Sequence, residues 1–561
     1  MPSTARHLDA LRAKHTEVEN HYVDELLAGR LDRREFLRRG AVAGMSASAM
    51  AALLTACGNA NNSSSASSGT AGGTPKKGGT LRVAAQTPAT AINPLIVSDS
   101  GGLAMVAQTG EFLTFDNNLE LKLQPMLATS WAHNGDGTMW TFKLRQGVKF
   151  HNGKPLTADD VVYTFKQLSD PKNASNALST FVGVLTPAGV RKVNASTVAF
   201  HLDAPNGNFP YLVSSDNYNA IVVPAGTDFG KWQKTFVGTG PFKLGSYTEN
   251  VGATFVANPD YWGPKAYLHS TTFKFYASQS PQILALQGGD VDAITQFVPS
   301  GAEAILHNPS YKIIRLKASN HRELSMRTDQ APFTDARVRQ AIALTLDRPG
   351  MVQALLHGFG TVGNDNPFAP RFPSSDLSVP QRTKDIAKAK QLMAAAGHAK
   401  GFNTTMATDI YEEIPQLVQV IKAAAATIGV NINLKIETQT QYYGKEKFGN
   451  SDWLDSTMST VNYGDRGVPN VFLGAPLTSK GVWNAAHFKN PKYDSLFKQY
   501  VAAIDLQSQK KIAGQIERLL LAETPIILPY FEDGLSATTP SVHGVNPTSI
   551  SQIFLGQAYK D

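Results

Sequence analysis

From Gln124 to Phe165 the chain reads QPMLATSWAHNGDGTMWTFKLRQGVKFHNGKPLTADDVVYTF. Within it, Trp140-Thr141-Phe142-Lys143-Leu144 alternates apolar and polar side chains, the period of a half-buried strand. Thr157-Ala158-Asp159-Asp160 then precedes Val161-Val162-Tyr163-Thr164-Phe165. The spacing predicts a helix with Thr157 as its N-cap and Asp160 closing a capping box in Asp form. Trp131, Trp140 and Phe165 read as core aromatics, and Gly238 and Gly240 further on as turn glycines.

The same two periods recur on either side. Thr80–Ala85, Ser196–Leu202 and Thr271–Tyr276 read as strands. Asp335–Leu346 is helical by spacing, with Val338, Ile342 and Leu346 on one face. Asp385–Ala396 stops at Gly397, and Ile414–Ile428 stops at Gly429 before a strand over Asn431–Glu437. Ser508–Ala522 is a last amphipathic helix. Strands alternating with helices imply a mixed α/β body. A chain of 561 residues is several times a typical domain, so at least two domains are expected. With 42% hydrophobic and 17% charged residues, the composition excludes wholesale disorder, collagen and coiled coil.

The first 79 residues read differently. Arg33-Arg34-Glu35-Phe36-Leu37-Arg38-Arg39 precedes a charge-free, Ala- and Ser-rich run from Gly40 to Ala56, too weak to span a membrane and suited to a secretion signal. The paired arginines resemble a twin-arginine signal, although Asp32 stands where that pattern has Ser or Thr. Leu54-Thr55-Ala56-Cys57 resembles a bacterial lipobox, in which the thiol of Cys57 is lipidated after cleavage. Cys57 is the chain's single cysteine, which excludes an internal disulfide and a Cys-based zinc site. Residues 58–79 are almost devoid of apolar side chains and read as a flexible tether with a mean reach of about 25 Å. The expected order is a signal peptide over 1–56, a lipidated cysteine and linker over 57–79, and then the body.

Further strings extend the pattern of the opening stretch. They are Val237-Gly238-Thr239-Gly240-Pro241-Phe242, Asn258-Pro259-Asp260-Tyr261-Trp262, Leu286-Gln287-Gly288-Gly289-Asp290-Val291-Asp292, Pro332–Ala341 and Asn490-Pro491-Lys492-Tyr493-Asp494. In this order they resemble the family 5 extracellular solute-binding proteins, the peptide- and nickel-type receptors of ABC importers. The resemblance implies a two-lobed periplasmic-binding-protein-like fold (cluster C, type II). Lobe I would comprise 80–315 and 530–561, with an extra subdomain near 110–235, and lobe II would comprise 316–529. A hinge would lie near Arg315–Glu323 and Ile527–Phe531. It also implies a monomeric, lipid-anchored, extracytoplasmic receptor that captures an oligopeptide or peptide-like solute and hands it to an ABC permease. A receptor of the same fold for a nickel chelate, opine or oligosaccharide is the alternative, and a secreted hydrolase stands behind both.

Candidate ligand contacts follow. Peptide-type relatives hold the ligand α-amino group with an aspartate in a Gly-Asp segment, which Asn462-Tyr463-Gly464-Asp465-Arg466 matches at Asp465. The other reading of Asp465 is a loop residue paired with Arg466. The arginine that clamps a dipeptide carboxylate is missing from Ala407–Glu413, so either Arg466 acts there or the ligand is longer, lacks a carboxylate or is cationic. Glu412 and Glu413 either favour a basic ligand or favour the N-terminus of the next helix. Tyr463, Trp483 and Asn484 are further candidates, against a reading of ordinary lobe packing. Ser98 and Asp99 follow the first strand, where α/β sheets bind ligands.

No catalytic spacing of the G-x-S-x-G, H-E-x-x-H or P-loop type occurs. Gly358–Gly363 satisfies G-x-G-x-x-G but follows a helical pattern, so it reads as chance. The histidines form no ligand cluster, so no resident metal or cofactor is expected. A net charge of +7 without a long basic block argues against nucleic acid.

Overall fold

In the computed structural model, residues 75–117 and 121–561 are described. The signal, Cys57 and most of the tether lie outside them. Among the described residues, no helix is long and apolar enough to cross a membrane.

The body is built on one sheet of twelve strands. In chain order they are β1 (Thr80–Gln86), β2 (Phe242–Thr248), β3 (Gly252–Ala257), β4 (Ser270–Tyr276), β5 (Ala293–Phe297), β6 (Lys312–Met326), β7 (Gly360–Val362), β8 (Phe402–Asp409), β9 (Val430–Glu437), β10 (Met458–Tyr463), β11 (Ile526–Ile527) and β12 (Tyr530–Thr538). Their order is β9-β8-β10-β6-β12-β5-β1-β4-β3-β2, with β7 paired to β12 and β11 to β6. Parallel pairing joins β1 to β4 and β5, and β8 to β9 and β10. The long strands β6 and β12 run antiparallel between these two parallel blocks, and their register breaks between Leu316 and Asn320. That break falls inside the first segment read as a hinge.

A separate four-stranded sheet is formed by Ala128–His133, Met139–Leu144, Val190–Asn194 and Thr197–His201. Phe142, Phe165, Phe200 and Phe209 close its core, with Phe165 and Phe200 meeting edge to face at 5.1 Å. Each such ring contributes roughly 1.5–3 kcal/mol on burial. The helix Ala158–Ser169 above this sheet carries the expected capping box, with Asp160 accepting from the Thr157 backbone at 2.8 Å. A second core gathers Leu324, Met406, Ile414, Leu417, Ile421 and Val430 around β8–β10. A third lies between the helices Pro491–Ala502 and Leu506–Glu523.

Gly238 differs from its sequence reading in reason rather than place. Its φ is not positive, and a Cβ there would sit 1.9 Å from the Thr109 carbonyl oxygen. Close backbone approach, not a turn, requires glycine. At Gly358–Gly363, a strand (β7) occupies the place where a dinucleotide loop needs a helix.

Candidate functional site

A cavity of about 690 Å³ opens where the two parallel blocks face each other. On one side it is lined by Gln86 and Thr87 past the end of β1, by Ser98–Ser100, by Val298 and Pro299 past β5, and by Ser549–Ser551. On the other side stand Tyr411 and Glu412 past β8, and Asn462 and Gly464–Arg466 at the end of β10. Asn320 of β6 and Glu532 and Asp533 of β12 line it between the two. Most of these positions lie at or beyond the carboxyl ends of parallel strands, where the chain leaves the sheet and backbone groups become available. The two sides touch around the cavity. The Gly207 amide donates to the Val501 carbonyl at 2.8 Å, and Asn208 Nδ2 donates to Asn470 Oδ1 at 3.0 Å.

Of the residues selected from sequence, Ser98, Asp99, Glu412, Asp465 and Arg466 line this cavity. Asp99 also caps the helix Ser100–Thr109, accepting from the Gly102 amide at 2.8 Å. Tyr463, Trp483 and Asn484 stand behind the wall instead. Tyr463 stacks on Trp483 at 5.9 Å and packs against Phe472. Asn484 is spent on the backbone, donating to the Thr478 and Phe488 carbonyls and accepting from the Phe488 amide. None of the three faces the space.

Asp465 is 4% exposed, and its carboxylate is already engaged. Arg371 Nη1 donates to Oδ2 at 3.1 Å and Ser319 Oγ to Oδ1 at 2.7 Å, while the Ser319 amide and Ser549 Oγ also donate to it. Arg466 does not reach that carboxylate. Its guanidinium donates to the Asp465 backbone carbonyl at 2.8 Å. The charge partner of Asp465 is therefore Arg371, which sequence reading missed. Ser319 comes from β6 and Ser549 from the side of the cavity facing Asp465, so Asp465 ties the two together. Beside this pair lie Asp116 and Asp216, both raised by burial, with Asp216 pushed further by Asp116. Two buried carboxyls that raise one another ionise less readily than either would alone. A Cβ at Gly467 would lie 1.6 Å from Asp216 Oδ2, so only glycine lets this loop meet Asp216.

The second charged group surrounds Arg322, which is 1% exposed. Its Nη2 donates to Glu412 Oε2 at 2.7 Å, Glu413 Oε2 at 2.8 Å and Glu532 Oε1 at 2.9 Å. Tyr530 donates to Glu413 at 2.7 Å, and the Tyr411 ring lies 5.6 Å from the guanidinium carbon. Burial opposes the charge on Arg322, but Glu532, Glu413 and Glu412 hold it. Burial likewise raises Glu532 and Glu412, against the pull of Arg322. Neither Glu412 nor Glu413 caps the helix Ile414–Ala426 with its side chain. Glu413 stands at the N-cap of this helix, and both carboxylates also ion-pair with Arg322. The three carboxylates offer oxygens within 4.8 Å of one another, a set that could also hold a metal ion.

The family model described as bacterial extracellular solute-binding proteins, family 5, matches residues 122–476. Heme-binding protein A of Haemophilus influenzae is 28% identical over 450 residues, covering 75% of this chain and 81% of that protein. The oligopeptide-binding protein AppA of Bacillus subtilis is 27% identical over 524 residues, covering 88% and 94%. The solved structure of HbpA2 from Haemophilus parasuis superposes with a TM-score of 0.77 at 23% identity, over 86% of this chain and all of that one.

Proposed function

The chain belongs to the bacterial extracellular solute-binding proteins of family 5, and from that premise we propose that it is the solute-binding component of an ABC importer for an oligopeptide or peptide-like solute. The observation that carries this reading is the cavity of about 690 Å³, enclosed between two blocks of one sheet and bordered by a break in the ladder that joins them. Its size suits a few residues of peptide. Its lining mixes backbone-binding polar groups with aromatic and aliphatic side chains, as a site for an extended chain requires. Residues 80–315 and 530–561 would form lobe I and 316–529 lobe II, closing about the register break in β6.

In this reading Asp465, Arg466, Ser98, Asp99 and Glu412 face the solute, while Tyr463, Trp483 and Asn484 brace the loop behind them. The Asp465 carboxylate receives the solute's α-amino group by sharing or exchanging its bond with Arg371, a charge-assisted contact in a water-poor site. No covalent chemistry is required. Cys57 carries the lipid anchor that holds a monomeric receptor at the outer face of the cell membrane, beside its permease.

Native mass spectrometry of the gently purified full-length chain, followed by denaturation to release bound molecules, tests the proposal. Released peptides support it. A metal chelate, opine or sugar in their place refutes the peptide assignment. Added ligand at a hundred times Kd should raise unfolding stability by about 2.7 kcal/mol.

A further inference from the structure

Away from the cavity the two sides meet a second time. The chain leaves the strand Thr197–His201 and turns through residues 203–208 before the short helix Phe209–Leu212. This corner is fixed to its own sheet. Trp140 Nε1 donates to the Asn206 carbonyl at 3.1 Å, Asn206 Oδ1 accepts from the Asn208 amide at 2.9 Å, and Phe209 packs on Phe200 at 5.1 Å. The tip of the corner reaches the helices Pro491–Ala502 and Leu506–Glu523. The Gly207 amide donates to the Val501 carbonyl at 2.8 Å, one of the groups that a helix C-terminus leaves unpaired. A Cβ at Gly207 would lie 2.0 Å from the Ala503 carbonyl oxygen, so only glycine admits this approach. Asn208 is 4% exposed and uses both ends of its side chain across the seam. Its Nδ2 donates to Asn470 Oδ1 at 3.0 Å, and its Oδ1 accepts from Gln509 Nε2 at 3.0 Å. None of Gly207, Asn208, Asn470, Val501 and Gln509 lines the cavity.

Resting on the receptor reading above, we propose that the Gly207–Asn208 corner is a clasp that holds the two sides together over a bound solute, and that Asn208 thereby sets solute affinity without touching the solute. A solute enclosed between two sides that part at a hinge is retained only while they stay together. Its apparent affinity therefore scales with the population of the closed arrangement. The corner is held by its own sheet before it docks, so docking orders few new groups and little of the bonding is lost to entropy. Its partners are polar side chains and helix-end backbone, which water satisfies when the sides part, so the clasp opens without stranding a buried polar group. An apolar seam of the same extent would resist opening and slow delivery of the solute.

Release of peptides from the full-length chain tests this, with a tryptic casein digest as the probe and native mass spectrometry as the readout. Asn208→Ala should retain the same peptides and lose them about tenfold to a hundredfold faster, the range expected for two side-chain hydrogen bonds. The solute-free chain, refolded from denaturant, should keep its urea midpoint in this variant, since parted sides leave Asn208 in water. Asn470→Ala reaches the same contact from the other side and supplies a second variant should the first fold poorly. Alone it should speed release, and added to Asn208→Ala it should change nothing further. Unchanged release, or additive effects of the two substitutions, overturns the clasp while leaving a peptide receptor standing. A midpoint lowered as much in the solute-free variant as in the loaded one assigns the contact to the fold itself and likewise overturns the clasp. A non-peptide solute retained in place of peptides overturns the peptide reading alone, and its faster release from Asn208→Ala still supports the clasp. Retention of nothing by the parent chain overturns both.

Discussion

Glu323 is 1% exposed on β6, and among the described residues no Lys or Arg pairs with its charge. Its Oε2 meets no donor among the described residues, and 3.9 Å separates it from His321 Nε2. Burial alone pushes the carboxyl up to about 8, and burial pushes His321 down to about 4. Both are therefore neutral at pH 7. An unfolded glutamate titrates near about 4.3. Between that value and about 8 the folded chain holds a proton that the unfolded chain has lost. Stability from this group is thus full below about pH 4.3 and falls as pH rises, by about 1.4 kcal/mol per unit. His321 acts with the opposite sign. Its folded value is depressed, so its contribution is present above about pH 6.5 and lost as pH falls toward 4. Above pH 6.5 only the Glu323 slope remains of the two. Glu323→Gln keeps the shape and stays neutral throughout. The variant should match the parent chain below about pH 4.3, exceed it by about 1.7 kcal/mol at pH 5.5 and by about 4 kcal/mol at pH 7.5. Urea unfolding midpoints of both chains at half-unit steps of pH measure the difference, in which every other titrating group cancels. Parallel curves would refute the reasoning. If, in addition, the variant were less stable by a constant several kcal/mol, Glu323 and a protonated His321 would form a buried ion pair instead.

Three further outcomes are expected. Thr157→Ala removes the cap of the helix Ala158–Ser169 and should lower stability by about 1 kcal/mol, read from the denaturant midpoint, without changing the affinity of any bound solute. Gly467→Ala drives a methyl group into Asp216 and should weaken solute retention together with stability, by roughly 1–3 kcal/mol in an unfolding titration. Trp483→Leu removes the ring stacked on Tyr463 and should lower the melting temperature while solute affinity stays within about twofold. Loss of binding without loss of stability in that variant would place Trp483 at the solute after all.

What the sequence discloses divides along the range of the interactions involved. The capping box at Thr157 and Asp160 spans three residues, and alternation over Trp140–Leu144 reports which face of that strand is buried. Both are local, and both were read correctly from the chain alone. Pairing across the sheet is not local. The two long strands β6 and β12 begin more than 200 residues apart, and no spacing rule joins them. The site is made from such pairings. Asp465 was given its neighbour Arg466 as a charge partner because adjacency is the one proximity a sequence displays. In the fold Arg466 turns to the backbone, and Arg371, 94 residues away, takes the carboxylate. Arg322 gathers Glu412 from 90 residues away and Glu532 from 210. A signal for this second group did exist. Arg322 and Glu532 each stand in a strand among apolar neighbours, Leu324 and Met326 in one case and Phe531 and Leu535 in the other. A charge in such a place must find an opposite charge or give up its own. The sequence could therefore have announced that both residues meet a partner, and only the strand order could say that they meet each other.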